Sequence, residues 1–311
     1  MAIHVEAYAP TDATSWNSVN ATSRNGTFIL DRKYMGYHSD RFEDFSLVVR
    51  DDNGVVALLP ANRKDSTLLS HGGLTYGGFV ITSAVQSRMM LAIFDETLNY
   101  LQKQGINTFV YKTIPAIYHR YPSDEDRYAL FRNNATLFRR DILTVIPCQR
   151  DIKMQARRRR GIVKAERHGV RIARSDRWKD FWDVLSGQLE AKYRTAPVHT
   201  AAEIQFLAEQ FPLNVILHVA ELGAEIVGGV VIFLSEQVAH AQYISASEKG
   251  QGLGALDMLF AQVIDEYSHL RWFDFGISNE QDGRYLNAGL VEYKESFGGR
   301  SVVHDQYTLS F

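Results

Sequence analysis

FDFGISNEQDGRYLNAGLVEYKESFGGR, Phe273 to Arg300, is the stretch whose reading decides the fold of this 311-residue chain. An apolar strand pattern ends at Phe275-Gly276. A polar turn follows, and then a helix-like run that places Tyr293-Lys294 shortly before Phe297-Gly298-Gly299. Such a run ends a strand, reverses the chain and brings a helix back toward the strand end.

Upstream lies RWFDFGIS (Arg271 to Ser278), a strand, preceded by the helix pattern ALDMLFAQVIDEYSHL (Ala255 to Leu270). Its apolar stripe is Leu256, Leu259, Phe260, Val263, Ile264 and Tyr267. Before it stands Lys249-Gly250-Gln251-Gly252-Leu253-Gly254, a glycine-rich connection between a strand and a helix. Successive N–H groups at a helix start can cradle a pyrophosphate, and glycines let it approach; the plain alternative is a tight turn. The preceding strand, QVAHAQYISAS (Gln237 to Ser247), alternates so that His240 and Gln242 share a face, with Tyr243 beside them.

Further upstream the same order occurs again. NVILHVAELGAEIVGGVVIF (Asn214 to Phe233) is strand, turn, strand, and so is FSLVVRDDNGVVALLPANR (Phe45 to Arg63). STLLSHGGLTYGGFV (Ser66 to Val80) answers to the 237–247 strand. A helix at Ser87–Gly105 and a strand at Ile106–Pro115 answer to 255–270 and 271–278. The offset is roughly 165 to 169 residues, the scale of a duplicated subdomain and not of a short-period solenoid. Strands alternating with helices predict an α/β, layered α+β fold of two tandem subdomains, 1–150 and 151–311. Each is a mixed, mostly antiparallel sheet flanked by helices. The first half lacks a G-x-G loop at the matching place, so a ligand-cradling loop of this kind is expected only in the second half.

The join is basic. IKMQARRRRGIVKAERHGVRIAR reads as a helix to about His168, capped by Gly169, and then a strand. Arg157, Arg160, Lys164 and Arg167 fall on one helical face, either a phosphate-binding surface or a solvated one. In the first half, His71 and Tyr76 lie in the glycine-rich SHGGLTYGG, and Lys112 follows the Ile106 strand. These three are candidate pocket-wall residues; the alternative is ordinary loop and packed aromatic structure.

The order of strand, Asn279-bearing polar loop and EYKESFGG helix resembles the end of acyltransferase domains of the GNAT superfamily. The KGQGLG loop resembles their Q/R-x-x-G-x-G/A element, with Lys249 replacing the first residue. The basic entry and the "yKe.FGg" ending look more like the Fem-type branch, built from two GNAT-like halves, and the likeness runs from about Trp16 to the C-terminus. The resemblance implies transfer of an acyl group from acyl-CoA, such as acetyl-CoA, to an amine. The amine would belong to an amino sugar or to a nucleotide- or lipid-linked envelope polysaccharide precursor. It further implies that Lys249, Gly250, Gln251, Gly252, Gly254 and Asn279 hold the donor. Lys294 would stabilise the oxyanion and Tyr293 would protonate the leaving thiolate. His240 and Asp274 are candidate bases for the attacking amine. His71, Tyr76, Lys112, Gln242, Tyr243, Arg157 and Arg160 are candidate substrate contacts. Two alternatives stay open: an aminoacyl-tRNA-dependent Fem-type transferase, with tRNA as donor carrier, and a non-catalytic binder with a decayed site.

Composition sets bounds. The chain is 45% hydrophobic and 23% charged, with a formal net charge of −2, so nothing in the total supports DNA binding. Cys148 stands alone, which excludes an internal disulfide and a cysteine metal cluster. No metal-hydrolase, GxSxG or Walker signature occurs, and no metal is expected. The N-terminal run lacks a signal-peptide pattern, and no segment reaches the ~18 apolar residues of a membrane span. A cytoplasmic protein without an integral membrane segment is therefore expected.

Overall fold

The computed structural model describes residues 2–37, 39–149 and 153–311, with only the backbone for Tyr193. The expected join at 150/151 lies outside the described residues. Two compact units emerge: Met1–Asp141 with Gln281–Tyr285 and Val303–Phe311, and Ile142–Glu280 with Leu286–Val302.

In chain order, the first unit contains β1 (His4–Ala7), α1 (Ala13–Thr22), α2 (Arg32–Gly36), β2 (Glu43–Asp44), β3 (Leu47–Asp51), β4 (Gly54–Leu59), β5 (Asn62–Lys64), β6 (Thr67–Leu69) and β7 (Val80–Ile81). Then come α3 (Ser87–Lys103), β8 (Thr108–Lys112) and α4 (Glu125–Arg132). Strands β1-β3-β4-β7 form one sheet, in that order. The 66–80 segment, expected to be a strand with a glycine-rich exit, holds the short strand β6, the glycine-rich loop in which Gly77 packs against Ser70 and Gly78 against Tyr111, and then the start of β7. Helix α3 buries Met90, Ile93, Phe94 and Leu101 at helical spacing against Leu47, Val49, Phe79, Phe109 and Tyr111. Each such side chain contributes on the order of 1.5–3 kcal/mol of hydrophobic stabilisation.

The long strands β9 (Thr136–Pro147) and, at the chain end, β17 (Arg300–Ser310) contribute residues to both units. The sequence pattern assigns no element to either, because charges interrupt the apolar alternation. The structure satisfies those charges: in the first unit Arg139 bridges Asp141 at 2.8 Å and Arg140 bridges Asp305 at 2.6 Å.

The second unit continues with α5 (Ala156–Arg167), β10 (Val170–Ser175), α6 (Trp178–Tyr193), α7 (Ala201–Gln210), β11 (Val215–Leu222), β12 (Glu225–Leu234), β13 (Val238–Ala246), α8 (Glu248–Leu253), α9 (Ala255–Glu266) and β14 (Trp272–Ile277). After β15 (Asn279–Glu280) and β16 (Tyr285–Leu286) comes α10 (Ala288–Glu295). Its strand order is β10-β11-β12-β13-β14-β9, antiparallel throughout except for the parallel pair β13/β14.

The stripe of α9 packs Leu259, Phe260 and Val263 on Val230, Ile232, Ala239, Ala241, Phe273 and Phe275. The rings of Phe260 and Phe275 lie 4.8 Å apart, and Phe297 joins them at 5.6 and 5.5 Å, tilted or edge-on as ring quadrupoles prefer. Helix α7 opens with a reciprocal Thr200/Glu203 capping box. Gly254 joins α8 to α9 at φ +77°, and a Cβ there would stand 2.6 Å from the Gly161 carbonyl of α5. Glycine is thus required twice over, for the left-handed turn and for the close helix contact.

Candidate active site

The centre of the second unit is the point where β13 and β14 part. Their parallel pairing runs only through Val238↔Trp272, Ala239↔Phe273 and His240↔Asp274. Both strands deform at this level. On β13, Tyr243 opposes Val231 and Ala241 opposes Ile232 of β12, so Gln242 is the extra residue of a bulge. On β14, the register with β9 shifts between Asp274 and Ile277, and Gly276 takes φ +72°. Beyond His240, no strand among the described residues pairs with the β14-side edge of β13.

Polar groups converge there. His240 Nδ1 lies 2.8 Å from Asp274 Oδ2, and Asp274 Oδ1 accepts the Gly276 N–H at 2.7 Å. Asp274 is 1% exposed, so its charge is held by these contacts and not by water. Helix α10, N-capped by Asn287 at the Leu290 N–H, carries Lys294. The Lys294 ammonium donates to the carbonyls of Gly276 at 3.1 Å and Ile277 at 2.5 Å. Burial draws its pKa down to about 8, with Asp274 pulling the other way. His240, Asp274 and Lys294, expected separately, are brought into one cluster.

Residues 153–295 match the model of the acetyltransferase (GNAT) domain family. These residues are GNAT-like, and the fold of the whole chain is like that of FemX and of a tandem GNAT protein. It is similar to the crystal structure of FemX at TM-score 0.71 and 10% identity, covering 99% of this chain and 97% of that one. It is also similar to L-PGS from Bacillus licheniformis (TM-score 0.64, 14% identity, 98% and 93% covered). A tandem GNAT protein from the clavulanic acid biosynthesis pathway, solved without AcCoA, gives TM-score 0.55 at 10% identity, covering 99% and 98%. Among curated proteins no relative matches the sequence.

Within this GNAT domain the expected donor loop takes a different form. Residues 248–253 are not a loop but the short helix α8, because Ser247 caps it by accepting the Gly250 N–H at 3.2 Å. The N–H groups of Gly250, Gln251 and Gly254 are bonded internally. Gly250 is packed against the Val227 carbonyl, whereas a side chain at Gly252 would meet open space. Lys249 pairs with Glu225 at 2.5 Å on the surface, and Gln251 donates to the Ala246 carbonyl at 2.8 Å. Asn279 accepts the Ile142 N–H at 2.9 Å and so ties the turn after β14 to β9.

Tyr293 has different neighbours from Lys294. Its ring packs edge-on to Phe297 at 5.2 Å, on the α9 side, with the Arg158 guanidinium 4.8 Å from the ring centre. Burial, reinforced by Asp257, raises its phenol well above the ordinary range. Arg158 itself pairs with Asp257. The basic run therefore turns Arg158 inward and leaves Arg160, Lys164 and Arg167 exposed, while Arg157 donates to the Glu292 carbonyl at 2.8 Å.

In the first unit, Lys112 donates to the carbonyls of Leu74 at 2.5 Å and His71 at 3.4 Å. The Tyr76 hydroxyl donates to Thr27 Oγ1 at 2.9 Å, and its ring lies 4.5 Å from that of Tyr118. Sequence reasoning missed His199 and Trp182. Trp182 donates to the His199 carbonyl at 2.9 Å, and His199 Nδ1 meets Tyr243 Oη at 2.5 Å. No local motif marks His199, because it lies in the irregular segment between α6 and α7.

Proposed function

We propose that this GNAT-fold protein moves an acyl group from acyl-CoA to a primary amine, in the manner of an N-acyltransferase acting on an amino sugar or a related envelope precursor. The observation that carries this reading is the cluster of His240, Asp274 and Lys294 at the mouth of the parted β13/β14 pair. The unpaired edge of β13, from Ala241 to Ala246, offers alternating N–H and C=O groups to an extended amide-bearing arm. The pantetheine of CoA is such an arm, whereas the sugar-phosphate end of a tRNA is not.

Held there, the thioester lies beside a lysine and a bulged backbone. Lys294 donates two of its three N–H bonds to carbonyls, which fixes the head group and leaves one for a developing oxyanion. The register shift leaves Gln242 outside the β12/β13 pairing at the same level. His240, oriented through Nδ1 by Asp274, keeps Nε2 for the ammonium proton. The amine attacks directly; the C–N bond forms, the C–S bond breaks, and CoA leaves as the thiolate. Positioning and electrostatics supply the rate, with no covalent enzyme intermediate. The first half serves the acceptor side in this reading.

The exposed Arg160, Lys164 and Arg167 favour a second reading, in which a charged tRNA is the donor. Calorimetric titration with acetyl-CoA, on the wild type and on Gly252→Glu, decides between them. Micromolar binding lost in the variant supports the CoA reading, since the open space at Gly252 lets the fold tolerate glutamate. Absence of binding to acetyl-CoA and longer acyl-CoAs overturns it.

A further inference from the structure

Among the described residues of the second unit, the side chains of Thr144, Arg158, Gln242, Ser278 and Tyr293 each carry a buried polar atom with no hydrogen-bond partner. Of these, Gln242 Oε1 is a carbonyl oxygen, and it belongs to the bulge two residues from His240. A buried carbonyl oxygen without a donor is a costly feature that calls for an explanation.

Its neighbours fix the orientation of the carboxamide. Cross-strand pairs share a face of the sheet, so Tyr243, opposite Val231, and His240, opposite Phe233, lie on one face. Val230, Ile232, Ala239, Ala241 and Ile244 lie on the other, packed under α9. The bulge therefore adds Tyr243 to the face of His240, which simple alternation from residue 240 would not do. Tyr243 Oη accepts the backbone N–H of His199 at 3.4 Å and lies 2.5 Å from its Nδ1, to which we assign the phenol proton. Trp182 braces this pair with its ring edge-on to Tyr243 at 5.1 Å. Burial carries the phenol up to about 12, and donation from the His199 backbone and from the Gln242 side chain works against it. The amide nitrogen of Gln242 is thereby turned to Tyr243, and Oε1 is left facing away from it.

We propose that Gln242 Oε1 receives an N–H of the attacking nucleophile and makes the site selective for a primary amine over a hydroxyl; this rests on the acyl-transfer reading above. A primary ammonium brings three protons. One passes to His240 Nε2, and the freed lone pair attacks the thioester carbon. One is held by Gln242 and stays on the amide nitrogen, and the third goes to the thiolate as the C–S bond breaks. The protonated His240 then returns its proton to solvent. A hydroxyl has a single proton, and giving it to His240 leaves Gln242 Oε1 buried and unpaired. Sites built around a substrate N–H or O–H discriminate strongly against analogues that lack it.

The test is thiol release from acetyl-CoA with matched acceptors: glucosamine against glucose, and 2-phenylethylamine against 2-phenylethanol. Gln242→Met keeps the side-chain length and removes the acceptor oxygen, and is expected to lower the amine-to-hydroxyl ratio of kcat/KM by ~30-fold. Tyr243→Phe removes the group that orients the amide and shifts the ratio the same way by ~3-fold. An unchanged ratio in Gln242→Met, with transfer still measurable, overturns the inference alone. Binding of acetyl-CoA with no thiol release to any acceptor in the wild type overturns the acyl-transfer reading and the inference with it.

Discussion

Lys112 and Lys294 form a natural comparison between the two units. Each donates its ammonium to two backbone carbonyls, and burial brings each pKa down to about 8. Their surroundings differ. After burial, the leading charge on Lys112 is the repulsive Arg139, and buried His304 nearby is driven down to about 4 by burial and by Lys112 itself. Lys294 instead feels the attractive Asp274, already paired with His240.

The strands differ more. In the first unit the parallel pair β6/β8 is continued past its last register: the Ser70 N–H donates to the Val110 carbonyl, and Ser70 Oγ accepts the Lys112 N–H at 2.6 Å. On its other side β8 is paired with β17 along its length. In the second unit the parallel pair opens after His240. A buried lysine held by carbonyls is thus not a site in itself. Beside a closed strand pair it clips a loop; beside an opened pair with a His–Asp couple it can face a ligand.

The largest expected effect that tests this contrast is on turnover. Lys294→Met lowers kcat by ~10²–10³-fold, the scale of losing one oxyanion donor, while KM for the acyl donor changes little. Next comes His240→Gln, expected to cost ~10²-fold in kcat. A loss below ~3-fold would assign the proton to another group.

The two lysines also predict a shared pH signature. Their folded pKa values, about 8, lie below the ordinary 10.5. Between those values the unfolded chain holds protons that the folded chain has released, so stability rises with pH across that window. For Lys294, 3% exposed, the rise is on the order of 3 kcal/mol; for the more exposed Lys112 it is smaller. Urea titrations from pH 7.5 to 9.5 should show a shallower rise in Lys294→Met than in Lys112→Met, and both should be shallower than wild type. Equal slopes in all three proteins would mean that neither lysine is buried as described. The smallest effect is at Gly276→Ala. The φ of +72° and the His240 ring 3.3 Å from the added Cβ imply a loss of ~1–2 kcal/mol, read as a lowered urea midpoint.

The duplicated order of elements was legible in the sequence because α3, α9, β11, β12 and β14 carry clean apolar periodicity. Strands β9 and β17 were not, since Arg139, Arg140, Asp141 and Asp305 break the alternation and are matched only by long-range partners. Of the proposed site, Lys294, His240 and Asp274 were singled out from their place near a strand end, and the structure sets them side by side. The helical form of 248–253 was hidden by its glycines, which read locally as a loop but are held by the Ser247 cap and by packing on Val227. The bulge at Gln242 was invisible as well, because a register slip is a property of two strands and not of one.

The measurement that tests the central claim most directly is thiol release from acetyl-CoA with a primary amine, comparing Lys294→Met and Lys112→Met side by side. A loss of at least ~100-fold is expected in Lys294→Met and a change within ~3-fold in Lys112→Met. Equal losses in the two variants, or a severe loss in Lys112→Met alone, would contradict the assignment of the chemistry to the opened strand pair.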